Sequence, residues 1–529
     1  MTERMKHSVG IDLGTTKSAV GRVVGDDPVV LETGAGNRTI PSVVRFDPNS
    51  PSVSVGKEAA NAKRQYPDQV IESVKRRMGE QEPVVQVNGN AYLPEEVSAM
   101  IIKKVKQAAE RELGVPVTNA VITVPAYFSN QEREATKRAG EIAGLTVDRI
   151  FNEPTAAMLS HGFRGGEDIT ALVYDLGGGT FDVSLVTAAN GVFEVVATDG
   201  LSRHGGDDWD ARVAEQICRI VENDTGRSVD EQSQAMARIW DAAQEAKHEL
   251  SNRTTTTVRL PFLFENYDFE ETLTREQFEE MTSDLLEETI ETCHDVLNES
   301  GTSKESVDEV LLVGGSTRMP QVERRLREVF GDKVRRSKSP DETVARGAAI
   351  QAGIIQDSLP VIDEDGSDTL KAKEERALDT HESTQYALPD VYDEVVLVDV
   401  ISNSLGTKVI GDNFAKIVRH NTSIPVKRTE RFVTTEDNQT AITVNVYQGE
   451  SMTASENELL DEFVFTGILQ LPAGEAKIDI TFRITENGIL EVTAESVQRG
   501  HTDGITIESG IEYGQQQIKQ MRSGLPEVK

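Results

Sequence analysis

The chain has 529 residues, too many for one hydrophobic core, so several domains are expected. Its 89 acidic and 55 basic residues leave a net charge of −34, which excludes a surface built to hold nucleic acid backbones. No run of about 18 apolar residues offers a membrane span, and the first residues lack a secretory apolar core, so the expected location is the cytoplasm.

The acidic excess also suits concentrated salt, where screening relieves self-repulsion, and a salt-adapted chain is expected. Cys218 and Cys293 lie in helix-like segments without metal-ligand spacing and read as buried free thiols.

From residue 1 to about 355, strand patterns alternate with helix patterns, which predicts α/β layers. One pattern occurs twice. Val9-Gly10-Ile11-Asp12-Leu13-Gly14-Thr15-Thr16 precedes the strand-like Ser18 to Val24. Leu172-Val173-Tyr174-Asp175-Leu176-Gly177-Gly178-Gly179-Thr180 precedes the strand-like Phe181 to Val186. Two copies of one hairpin, far apart in sequence, predict two lobes of related fold.

A Gly/Thr turn between strands lets backbone N–H groups approach phosphate oxygens with no Cβ in the way. Thr15, Thr16 and Thr180 add hydroxyl donors, and Asp12 and Asp175 end their strands at matching places. Two carboxylates facing a polyphosphate suit a hydrated Mg²⁺ ion. One such turn is weak evidence of a nucleotide site; the matched pair is strong. A third turn, Val313-Gly314-Gly315-Ser316-Thr317-Arg318, leads from a strand into a helix that could face the same nucleotide.

Residues 356–394 hold twelve acidic and three basic residues with no sustained period, and read as a solvated insert. The apolar run Val395-Val396-Leu397-Val398-Asp399-Val400 then calls for a surface on which to dock. From 401 to about 508 come short alternating strands, among them Arg431–Thr435, Ala441–Tyr447 and Lys477–Ile484. Asn487-Gly488 is a hairpin signal. This reads as an all-β sandwich. In the tail, 509–529, Gln515 to Met521 reads as two turns of helix, broken by Gly524 and Pro526.

These motifs, in this order, resemble the DnaK-type heat-shock chaperones. The resemblance also covers Val121 to Phe128, Asn152-Glu153-Pro154-Thr155-Ala156-Ala157, Ser339-Pro340-Asp341-Glu342, Thr435 to Gln439 and Gln448-Gly449-Glu450. It implies a two-lobed, actin-like α/β ATPase domain over 1–355, an interdomain linker over 395–400 and a peptide-binding sandwich over 401–508. It also implies a short form, with no helical lid after the sandwich.

By the same resemblance, Lys75 matches the family's catalytic lysine, although a lone lysine on a helix would otherwise read as a solvated charge. Glu153 would sit near the attacking water, and Asp12, Asp175 and Thr180 would face the phosphates and Mg²⁺. Gly14, Thr15, Thr16, Gly177, Gly178, Gly179 and Gly206 would cradle the phosphates of ATP or ADP. Lys247, Ser251, Gly314, Gly315, Ser316 and Arg318 match the adenosine side, and Asp341 matches a further position of the nucleotide pocket. Pro125, Arg133, Arg149, Leu397 and Asp399 match positions that couple the domains, with Arg149 a contact for a J-domain co-chaperone. Ile410, Phe432, Val433, Ile442 and Val444 would line the cleft for extended hydrophobic peptides, unless some are plain core. A GrpE-type exchange factor is the other implied partner.

Lys17, Gln244 and His248 depart from the family pattern at the nucleotide, and the segment from Gly79 to Leu93 is short. Thr407 and Thr435 make the peptide pocket more polar. A small-molecule kinase and an actin-like filament protein share the two-lobed expectation, but neither needs a sandwich behind an apolar linker. A co-chaperone or exchange partner of a full-length relative remains open on the sequence alone.

Overall fold

The computed structural model describes residues 7–24, 27–34, 36–63, 65–161, 168–189, 192–229, 234–337, 339–358, 396–485, 490–507 and 515–529. The two copies of the repeated pattern fold into the same arrangement. Strand Ser8–Leu13 pairs antiparallel with Lys17–Val24 and parallel with Asn119–Val124. Strand Ile169–Leu176 pairs antiparallel with Phe181–Ala189 and parallel with Glu309–Val313. Each hairpin thus stands at the middle of a six-stranded mixed sheet. Central strands with two covered faces need continuous apolar runs, and Asn119–Val124 is buried at every residue.

Separate cores sit against the two sheets. One gathers Val9, Ile11, Met100 and Ile122; the other gathers Leu172, Tyr174, Trp209 and Leu312. Helices Glu153–His161 and Thr343–Ser358 contribute to a third core between them, with Ala156, Met158, Val344 and Ile350. Cys293 is fully buried and Cys218 half-buried; both are free thiols.

Residues 405–507 form two four-stranded sheets. Strand Lys477–Ile484 shows the alternation that makes a sandwich: Ile478, Ile480, Phe482 and Ile484 point into the core, while Lys477 and Arg483 face solvent. The expected strand at 431–435 begins earlier and runs Val426–Val433. Asn487-Gly488 lies outside the described residues, but the strands on either side of it pair antiparallel, Ile484 opposite Leu490.

The linker finds its surface. Val396–Val398 adds a parallel strand to the edge of the second large sheet, with Leu397 in register with Phe193. Of the acidic stretch 356–394, only Gln356 to Ser358 are described, as the end of helix Thr343–Ser358. The sandwich lies against the sheets. Ser402 Oγ donates to Phe128 O at 2.9 Å, Thr198 N to Asn421 Oδ1 at 3.0 Å, and Ser423 Oγ to Glu194 Oε1 at 3.0 Å. The tail differs from its sequence reading. Helix Gln515–Gly524 runs on to Gly524, and beyond Pro526 the chain forms a strand, Glu527–Val528. Among the described residues no helix is long and apolar enough to cross a membrane.

Candidate active site

The tips of the two hairpins meet at one cavity of about 1070 Å³. Gly14, Thr15 and Thr16 reach it from the first sheet, and Gly177, Gly178 and Thr180 from the second. The approach is so close that a Cβ on Gly178 would stand 1.7 Å from Thr16 Oγ1. Gly314, at φ +82°, leaves no room either: its Cβ would lie 2.4 Å from Asp175 Oδ1. Gly179 and Gly206 stand behind the lining residues rather than among them. Gly179 O accepts from Arg76 Nε at 2.8 Å, and Gly206 N donates to Gly177 O at 3.0 Å.

Lys75 is not a solvated charge. It sits in a tight turn, Val74–Arg77, entered through Ser73 at φ 51°, and only 4% of it is exposed. Its Nζ lies 2.6 Å from Glu153 Oε1. Burial works against its charge, but the carboxylates of Glu153 and Asp12 outweigh burial and raise its pKa above the ordinary lysine value. Asp12 is pushed up to about 7 by burial and by the Glu153 charge. Asp175 and Asp182 are raised well above the carboxylate range by burial and again by Glu153. Asp182 stands in the repeated motif but carried no sequence signal of its own. Four carboxylates around one ammonium favour a bound divalent cation.

The donor set fits a nucleotide with a hydrated cation. Thr16 Oγ1 is buried and has no protein partner, as a hydroxyl aimed at a phosphate oxygen would be. Among the described residues no three His, Cys, Asp or Glu side chains converge to hold a metal by themselves.

The far end of the cavity is built by the second sheet and its helices. Lys247 Nζ is buried and donates to Gly206 O at 2.7 Å and Asp210 Oδ2 at 2.9 Å. Ser251 Oγ donates to Lys247 O at 3.0 Å. Ser316 Oγ reaches Gly177 O at 2.7 Å and ties the third turn to the second hairpin. Arg318 pairs with Asp341 at 3.0 Å across the rim, beside Gly315. Lys17, Gln244 and His248 also line the cavity. Three arginines escaped the sequence reading. Arg76 pairs with Asp208 at 2.8 Å and, with its bond to Gly179 O, joins the Lys75 turn to the second sheet. Arg324 and Arg336 bring further cations to the cavity. The only hint of Arg76 was its place in the run Lys75-Arg76-Arg77.

A continuous set of contacts leads from Lys75 to the sandwich. Glu153 follows Asn152, whose Oδ1 accepts from Arg133 Nη2 at 2.7 Å. Arg133 also donates to Phe128 O at 3.1 Å, the same carbonyl that receives Ser402. Phe128 N donates to Pro125 O at 3.3 Å and closes that turn. Beside it, Asp399 faces Arg149 at 3.9 Å and accepts from Thr155 Oγ1 at 3.3 Å.

The five sandwich residues separate by exposure. Ile410 is 74% exposed and Val433 49%, while Phe432 and Ile442 are half-buried against the core. Val444 is 1% exposed and belongs to the core itself, so it does not open onto a cleft. The alternation of strand Ala441–Gln448 turns Val444 and Val446 toward the opposite sheet.

Comparison with known proteins gives one direction. The family described as Hsp70 protein matches residues 8–365 and 387–528. The proteins named Chaperone protein DnaK from two strains of Halobacterium salinarum are each 43% identical over 518 residues, covering 97% of this chain and 77% of the relative.

Proposed function

The chain belongs to the Hsp70 family, and from that premise we propose how its residues drive an ATP-dependent chaperone. Membership makes the protein a chaperone and an ATPase that binds ATP and ADP. We infer a two-lobed, actin-like nucleotide domain over 1–355, supported by two sheets of matching topology with the cavity at their hairpin tips. Bound ATP supplies the phosphoryl group that passes to water, and hydrated Mg²⁺ supplies charge beside it.

Asp12 and Asp175 line the cavity from the two hairpins and would hold such an ion through its waters. Thr15, Thr16, Thr180 and the backbone of Gly14 and Gly177 to Gly179 donate to phosphate oxygens. Lys75, kept charged by Glu153, orients the attacking water and offsets charge that grows in the transition state. Lys247, Ser251, Gly314, Gly315, Ser316, Arg318 and Asp341 position the nucleoside, with Gly206 behind them.

Extended hydrophobic peptides lie against Ile410, Phe432, Val433 and Ile442, with Val444 supporting the pocket from beneath. Release is coupled to the nucleotide through Pro125 and Arg133 on one side, and through Leu397, Asp399 and Arg149 on the other. A J-domain co-chaperone acts at Arg149, a GrpE-type factor exchanges nucleotide, and the cytoplasm is the place of action.

One observation carries this reading: the buried Lys75–Glu153 pair is joined through Asn152, Arg133 and Phe128 to Ser402 of the sandwich. Lys75→Ala should lower single-turnover hydrolysis about 10²–10³-fold while ATP binding changes little. Near-normal turnover in a folded variant would remove Lys75 from the chemistry. ATP-triggered release of a bound peptide separates a chaperone from a co-chaperone that only exchanges nucleotide.

A further inference from the structure

The cavity at the hairpin tips is lined by seven lysine and arginine side chains, and six of them already have a carboxylate. Lys75 is held by Glu153, Lys247 by Asp210 and Arg318 by Asp341. Farther out, Arg324 faces Glu279, while Arg327 and Arg336 share Glu323. The seventh is Lys17. It is exposed, and among the described residues no carboxylate pairs with its ammonium.

Its root is nevertheless fixed. Lys17 opens strand Lys17–Val24 directly after the turn Gly14 to Thr16, and stands opposite Pro41. Ser42 pins that turn: its N donates to Thr16 O at 2.8 Å and its Oγ to Gly14 O at 2.7 Å. A fixed backbone with a flexible four-carbon stem gives a point charge that can follow an anion. Lys75 differs, because Glu153 dictates where its ammonium sits.

The Lys17 charge is felt on the second sheet's side as well. His248, on helix Gln234–Asn252, also lines the cavity. Burial, then the charges of Lys247 and Lys17, push its imidazole down to about 4. Near neutral pH His248 therefore has no charge to offer a phosphate. Lys17 thus stands between the first hairpin and the far end of the cavity, where a nucleotide joins its phosphates to its nucleoside.

Resting on the nucleotide reading of this cavity, we propose that Lys17 determines specificity: its ammonium pairs with the diphosphate common to ATP and ADP and so selects nucleotides over nucleosides. An uncommitted charge gains a charge-assisted hydrogen bond with no earlier pair to break. The six paired cations would each have to share or leave a carboxylate. The α- and β-phosphates remain after the γ-phosphoryl group has passed to water, so the contact holds ADP too and slows its release.

Lys17→Met keeps the length of the side chain, removes its charge and opens no core gap. Affinity for ADP, by calorimetric titration, should fall about fivefold to tenfold, and ADP should dissociate faster by a similar factor. Affinity for adenosine should stay the same. Lys17→Arg should restore ADP binding, and Lys17→Glu should weaken it further. Raising KCl from about 0.1 M to about 1 M should weaken ADP binding less in Lys17→Met than in the wild type. Unchanged ADP affinity in Lys17→Met would overturn the proposal, because the ammonium would then take no part. An equal loss for adenosine would overturn it as well, because the variant would have disturbed the whole site. Hydrogen exchange separates this inference from the reading beneath it. ADP should protect amides 14–16 and 177–180 in the wild type. Without that protection the cavity is not the nucleotide site, and the role of Lys17 falls with it. Protection combined with unchanged affinity in Lys17→Met strikes Lys17 alone.

Discussion

The two large sheets share a hairpin, a turn and a terminal aspartate, yet they contribute different things to one cavity. The first brings a buried ion pair: the Val74–Arg77 turn places Lys75 on Glu153. The second lines the far end with Lys247, Ser316 and Arg318. Asp12 and Asp175 are the shared remainder, and both are raised by burial among their neighbours. The difference teaches that one hairpin, repeated at the middle of two sheets, acquires unequal surroundings from the elements packed around each copy. Their outer edges diverge as well. The linker strand extends the second sheet, and the tail strand extends a small sheet beside the first.

The largest effect is expected where the halves touch. Gly178→Ala would put a Cβ 1.7 Å from Thr16 Oγ1, so the hairpins must part. Nucleotide affinity should fall at least tenfold, about 1.4 kcal/mol, in a chain that still folds. Calorimetric titration with ADP measures it. Unchanged affinity would mean that the two turns need not meet to bind.

A smaller effect tests the second half's outer edge. Replacing Val396 and Leu397 by Asp puts charge into the strand that pairs with Val192–Leu201. ATP should then release a bound fluorescent peptide several times more slowly, with hydrolysis itself kept. Normal release kinetics would make the linker a plain tether and leave coupling to the Arg133–Phe128–Ser402 contacts.

The smallest effect should touch both halves alike. At −34 the chain repels itself in dilute buffer. Its thermal midpoint should rise by several degrees from dilute buffer to molar KCl. Scanning calorimetry would show the rise, and a flat or falling trend would separate this acidity from salt adaptation.

Much of this molecule is local enough to read from residues. The Asp-Leu-Gly repeat determined the two hairpins, because strand propensity and a glycine turn act within a few positions. The alternation in Lys477–Ile484 determined an inward face for the same reason. Other features depend on partners far along the chain. Lys75 reads as a surface lysine until Glu153, 78 positions later, closes on it, and only burial gives the pair its strength. Val444 and Ile410 are both apolar strand-region residues in sequence, but the opposite sheet covers one and leaves the other in water. The tail reads as a helix too short to persist; a core edge and a carbonyl at Glu141 keep it ordered. Sequence by itself thus determined the hairpins and the sandwich, whose signals are periodic or local. Tertiary structure alone decided which charges are buried, which apolar face is open and where segment 515–529 docks, because each depends on a surface that exists only after distant segments have packed.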